Sequence, residues 1–187
     1  MNMTEDVIKD AETRMKKAVE VLRRELVTIR TGRASPALID RLMVEYYGTP
    51  TPLNQLATIT APEPALLVVQ PWDKSALPLI EKALQKSELG FNPSNDGNII
   101  RIPIPKLTEE RRREMVKLVR HRVEEGRVAI RNVRRDALHD LNEMEKEKMI
   151  SEDEHKRAAE KIDDLVHKYI REAEQLGDAK EAELMEV

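Results

Sequence analysis

The chain has 187 residues, 36% of them charged, a formal net charge of −3 and no cysteine. These values exclude a disulfide framework, a thiolate metal site and a cysteine nucleophile, and they argue against indiscriminate nucleic-acid binding while allowing a local basic site. No apolar run is long enough to span a bilayer, and the acidic start, MNMTEDVIKDAE, is neither a secretory signal nor a typical transit peptide, so the expected location is cytoplasmic.

Proline places the domain boundaries. All ten prolines lie between Pro36 and Pro105, together with the aromatic residues Tyr46, Tyr47, Trp72 and Phe91; only Tyr169 lies outside. The pattern predicts a discontinuous helical domain, residues 1–30 and 106–187, interrupted by an insert over 31–105.

Met3–Ile29 is predicted as the first helix, with Thr4 as N-cap and Glu5 and Asp6 in the first turn. Ile8, Ala11, Met15, Ala18, Leu22, Leu26 and Ile29 form its apolar stripe, and Gly32 is its C-terminal stop. Ser35-Pro36 opens a short helix. Leu42–Tyr46 reads as a strand, Gly48–Pro52 as a turn and Leu56–Thr60 as a second strand. Ala65–Gln70 is a buried strand closed by Pro71. Trp72–Ser87 is a helix whose regular part begins near Pro78. Asn92–Asn98 is a turn cluster, and Ile99–Ile104 is a strand in which Pro103 marks an edge or an end.

Lys106–Met149 is predicted as one long helix capped by Thr108. Its seam runs through Val116, Val119, Val123, Gly126, Ile130, Val133, Ala137 and Met144. At about 100° per residue, Arg113, Arg120, Arg127, Arg131 and Arg134 fall in an arc of roughly 60° beside that seam. Lys106–Arg135 carries eleven Lys/Arg against five Asp/Glu, a net of +6, while the rest of the chain is 21 basic against 30 acidic. The arc is either a solvated charged face or an anion-binding surface. Ser151–Glu154 is a capping box for a last helix seamed by Ala158, Ile162, Leu165, Tyr169, Ala173 and Leu176. The connection before it is short, so that helix should run antiparallel to the long one, with Gly177 either ending or interrupting it.

Catalytic patterns are sparse. His121, His139, His155 and His167 lack HExxH spacing, and there is no GxGxxG, phosphate loop or GxSxG elbow. Asp153, Glu154 and His155 crowd together, but in a helical first turn where acids are common. The arginine arc lacks interleaved aromatics and so suits phosphate and folded-RNA shape rather than base stacking. Three readings of the residues stay open: an RNA-binding module, an adaptor for another coiled coil, and a small enzyme in Ser35–Pro105. The adaptor predicts an oligomer. The enzyme needs convergent polar groups where the insert offers the neighbours Asp73-Lys74 and no His or Cys.

Six stretches resemble the ribosome recycling factor family, in order along the chain. They are Ile29–Pro36 (IRTGRASP), Glu45–Leu53 (EYYGTPTPL), Leu107–Arg112 (LTEERR), Val128–Ala137 (VAIRNVRRDA), Ile150–Glu154 (ISEDE) and Lys180–Leu184 (KEAEL). The resemblance implies an α+β fold: a long antiparallel three-helix bundle with an inserted small β/α/β domain, L-shaped like a transfer RNA. It implies binding to the post-termination ribosome on its intersubunit face through large-subunit rRNA. Subunit splitting then proceeds with elongation factor G and GTP hydrolysis by that partner. Such a factor is a monomer, not itself an enzyme, and has no cofactor and no membrane partner. By matching, Arg134, Arg131, Arg135 and Arg127 lie where the family grips rRNA, and Arg30 and Arg33 join them. The hinge falls on Thr31, Gly32, Arg33 and Ala34 in one crossing and on Ile104, Pro105 and Lys106, just after Pro103, in the other.

Overall fold

The computed structural model describes residues 2–186, so Met1 and Val187, the outer ends of the expected bundle segments, lie outside the described residues. Among the described residues there are four α-helices: α1 (Met3–Val27), α2 (Leu77–Lys86), α3 (Glu109–Lys146) and α4 (Glu152–Met185). Six strands lie between α1 and α3: β1 (Met43–Tyr46), β2 (Thr49–Pro52), β3 (Ala57–Glu63), β4 (Leu66–Pro71), β5 (Ser94–Asn95) and β6 (Ile100–Pro103). The chain divides into two compact units. One takes the chain up to Leu26 and again from Glu114; the other is Val27–Arg113.

In the helical unit, α1 is capped by Asn2 rather than Thr4. Asn2 Oδ1 accepts the Thr4 N–H at 3.2 Å and its carbonyl accepts the Asp6 N–H at 3.3 Å. Thr4 lies inside the helix and is buried. The buried face of α1 is Ala11, Met15, Val19, Leu22 and Leu26, so Val19 takes the inner place expected for Ala18. In α3 the Thr108 hydroxyl accepts the Arg111 N–H at 3.1 Å, as the cap reading requires. Its buried seam is Val119, Val123, Gly126, Ile130, Val133, Ala137 and Leu141, which adds Leu141 to the expected set and leaves Val116 and Met144 half-buried. Ser151 and Glu154 form a complete capping box at α4, with the Glu154 N–H given to Ser151 Oγ at 3.1 Å and the Ser151 N–H to Glu154 Oε1 at 3.3 Å.

α4 neither ends nor breaks at Gly177; it runs through to Met185. Its inner face uses Val166 and Gly177 rather than Leu165 and Leu176. A Cβ on Gly177 would sit 2.5 Å from Val123 Cγ2, so glycine is there to let α3 and α4 close on each other. Ion pairs report the helix directions. Arg134, Arg127 and Arg120 of α3 meet Asp163, Glu174 and Glu181 of α4, one number falling as the other rises. Arg14–Asp136 and Glu25–Arg122 show the same antiparallel relation between α1 and α3.

The second unit holds a hairpin and a four-stranded antiparallel sheet, ordered β3-β4-β6-β5. β1 and β2 pair from Tyr46↔Thr49 to Met43↔Pro52. Only Tyr47 and Gly48 make the turn, both at positive φ (49° and 78°), which is the two-residue geometry that matches strand twist. The expected turn over Gly48–Pro52 is therefore mostly strand. Pro50 and Pro52 are tolerated because a two-stranded ribbon leaves each strand one open edge. β4 and β6 alternate buried and outer residues, with Leu67, Val69, Ile100 and Ile102 inward in one cluster with Leu77, Ile80 and Leu84 of α2. The Trp72–Ser87 segment becomes a 3-10 turn, Lys74–Ala76, and then α2 with Pro78 in its first turn. Pro103 ends β6 opposite Leu66. The fold is α+β: an antiparallel helical bundle and a small β/α/β insert.

Candidate nucleic-acid interface

The arginine arc of α3 is exposed except at the half-buried Arg127, and it is not bare. Arg134 Nε donates to Asp163 Oδ1 at 2.7 Å, with both side chains 44% exposed. Arg127 Nε donates to Glu174 Oε1 at 3.2 Å and its Nη1 to Glu124 Oε2 at 2.9 Å. Arg120 Nε donates to Glu181 Oε1 at 2.9 Å. Arg131 Nη1 stands 3.5 Å from the same Glu124, and Arg113 Nη2 donates to Glu109 at 2.8 Å. Arg135 is exposed and forms no ion pair among the described residues. The Glu124 carboxylate raises the Arg127 guanidinium above its ordinary value, and Glu174 acts in the same direction against partial burial.

These pairs change the electrostatic picture. The +6 excess counted along Lys106–Arg135 is met by acids from α4. Exposed ion pairs are worth only about 0–1 kcal/mol, so a polyanion can compete for these arginines. A guanidinium with one donor engaged still has a fork for two phosphate oxygens.

Arg30 and Arg33 belong to the other unit. Arg30 lies over the Phe91 ring at 5.5 Å from its centroid, which holds its charge against an apolar wall. Arg33 is exposed. Gly32 takes φ +79°, and a Cβ there would stand 3.3 Å from the Leu107 nitrogen. The Ala34 N–H donates to the Pro64 carbonyl and the Ile104 N–H to that of Ala65, each at 2.7 Å, so both segments expected as the hinge are tied to the β3–β4 connection, inside the second unit.

Other polar clusters have structural work. Asp73 accepts from the Ser75 hydroxyl at 2.7 Å, the Ser75 N–H at 3.0 Å and the Tyr46 hydroxyl at 3.0 Å. The Ser75 bonds hold its carboxyl below the usual range, so Asp73 is a charged cap of the following turn, ill-suited to general acid work. His155 Nε2 lies 2.6 Å from Asn142 Oδ1. Among the described residues there is no metal-ligating group of three His, Cys, Asp or Glu, and no helix long and apolar enough to cross a membrane.

The residues that sequence reasoning missed are the α4 acids. Their signal was present: Arg120, Arg127 and Arg134 recur every seven residues, and Glu174 and Glu181 are also seven apart. Matching heptads on antiparallel neighbours place such residues side by side.

Residues 22–185 match the family model described as ribosome recycling factor. The ribosome-recycling factor of Roseiflexus castenholzii is 60% identical over 185 residues, covering 99% of this chain and 100% of that protein. That of Thermomicrobium roseum is 58% identical over the same shares. A solution structure of a ribosome recycling factor superposes with a TM-score of 0.84 at 50% identity, covering 100% of both chains. A second neighbour, at TM-score 0.69 and 50% identity over 100% of both chains, comes from models of the T. thermophilus ribosome recycling factor and E. coli elongation factor G bound to the E. coli post-termination complex.

Proposed function

The chain belongs to the ribosome recycling factor family, and from that premise we infer that it splits the post-termination ribosome. It binds the ribosome that still holds messenger and deacylated transfer RNA, on the intersubunit face, through large-subunit rRNA. Elongation factor G then joins it, and GTP hydrolysis by that partner drives the subunits apart. The chain catalyses no covalent step, needs no cofactor and acts as a monomer in the cytoplasm. The observation that carries this reading is likeness to recycling factors along essentially the whole chain, at half or more identity.

Arg134, Arg131, Arg135 and Arg127 are the rRNA contacts, joined by Arg30 and Arg33. Their chemistry supports the role: planar forks recognise phosphate pairwise, and Glu109–Lys146, which carries four of them, contains no Phe, Tyr or Trp for base stacking. Thr31–Ala34 and Ile104–Lys106 are the hinge. Gly32 supplies a left-handed backbone position, while Pro103 and Pro105 stiffen the return crossing. A disulfide engineered between the domains should leave ribosome binding intact and slow splitting; unchanged splitting would remove the hinge from the mechanism.

The test of the whole reading is light scattering by post-termination ribosomes mixed with this chain, elongation factor G and GTP. Scattering should fall as subunits separate, only when all three are present. No fall, with a known recycling factor active in parallel, would refute the reading.

A further inference from the structure

The α4 acids meet three arginines of the arc in one shared way. Asp163, Glu174 and Glu181 each take the Nε–H, from Arg134, Arg127 and Arg120 respectively. Pairs along α3 itself use terminal nitrogens instead: Arg113 Nη2 with Glu109, and Nη1 of Arg127 and Arg131 with Glu124. A guanidinium has five N–H donors in one plane. Capture at Nε fixes that plane, and among the described residues the Nη1–Nη2 edge of Arg134 and of Arg120 has no protein partner.

We propose that Asp163, with Glu181 by the same geometry, is a positioning residue that holds an arginine fork in the orientation a phosphate accepts. This rests on the reading of Arg134 as an rRNA contact. Pairs this exposed add little to stability, so the shared geometry has small value to the fold alone. A free arginine loses rotamer freedom when it grips a ligand; one already held has lost much of it beforehand. The carboxylate charge works the other way, because it repels phosphate. The oxygen therefore assists binding while the charge opposes it.

Asparagine and alanine at position 163 separate the two. Both remove the charge, and only asparagine keeps an oxygen within reach of Arg134 Nε. Binding of the full chain to isolated large ribosomal subunits is measured for Asp163→Asn, Asp163→Ala, Arg134→Ala and the two double variants, with melting curves for each. Asp163→Asn should bind roughly three- to tenfold tighter than Asp163→Ala, the two should melt alike, and the gap should close once Arg134 is alanine. Equal affinity of the two variants, while Arg134→Ala still weakens binding, overturns the positioning role alone. A gap that persists without Arg134 overturns it too. If Arg134→Ala binds like the unmodified chain, the rRNA reading fails and the positioning role falls with it.

Discussion

Replacing Gly177 by alanine should loosen the bundle, although alanine is the better helix former. The substitution gains about 1 kcal/mol of helix propensity. The new Cβ would lie 2.5 Å from Val123 Cγ2, 3.7 Å from Val123 Cβ and 3.9 Å from Val119 Cγ1. Val123 is β-branched on a helix, with one strongly preferred rotamer, so it cannot swing aside cheaply. Overpacking of this kind costs about 1–3 kcal/mol. The net loss should be up to about 2 kcal/mol, a fall in melting temperature of up to roughly 8 °C for a chain of this size. Glu174 and Glu181 flank Gly177, so the rungs to Arg127 and Arg120 should slacken as well. Gly126→Ala is the internal control. Its Cβ would be 3.4 Å from Leu22 Cδ2, an ordinary contact with a flexible chain end, so it should be neutral or stabilising. Thermal unfolding followed by far-ultraviolet circular dichroism reads both, and Val123→Ala combined with Gly177→Ala should recover part of the loss. If Gly177→Ala melts higher than the unmodified protein, or shows no coupling to Val123→Ala, the close approach at this position is not what the glycine serves.

Affinity for the large subunit should fall steeply as salt rises, because each phosphate contact releases counterions; a flat response from low to physiological ionic strength would contradict an electrostatic interface. Tyr169 is 2% exposed, and burial, then its hydroxyl's bond to Glu12 Oε2 at 3.0 Å, pushes its pKa up to about 12. The unfolded phenol ionises near 10 and the folded one near 12, so this stabilisation is complete below pH 10 and disappears as pH rises toward 12. It amounts to on the order of 2 kcal/mol. Tyr169→Phe should flatten the loss of stability across that window, and an unchanged slope in urea unfolding at pH 9 to 12 would show that another group is responsible.

The helices were legible because their signals are local and periodic. Thr108 and the Ser151–Glu154 box cap α3 and α4, and the α3 seam from Val119 to Ala137 is buried as its spacing implies. Where two apolar residues stand together, spacing alone does not choose between them: Ala18 against Val19, Leu165 against Val166. The facing helices decide that. The hairpin was harder. Proline at 50 and 52 and glycine at 48 suggest a loop, yet a ribbon two strands wide accepts proline at its open edge, and the turn needs only Tyr47 and Gly48. The arginine arc is visible in α3 alone, whereas its carboxylate partners on α4 lie 29 to 61 residues away in the chain. Counting charge along one helix cannot register acids that reach it from another. The function itself came from resemblance, since an arc of arginines on a long helix does not say which anion, if any, it meets.

The central claim is that Arg134 grips large-subunit rRNA and does little for the fold. The measurement is equilibrium binding of Arg134→Lys and Arg134→Glu to isolated large subunits, set beside their melting temperatures and those of Val133→Asp. Lysine keeps the charge but not the fork, so Arg134→Lys should bind more weakly and Arg134→Glu more weakly still, both melting close to the unmodified protein because the Asp163 pair is exposed. Val133→Asp, which puts an unpaired charge into a 5% exposed seam position, should instead collapse the melting temperature. Normal binding by Arg134→Glu, or loss of binding only in step with loss of folding, would contradict the claim.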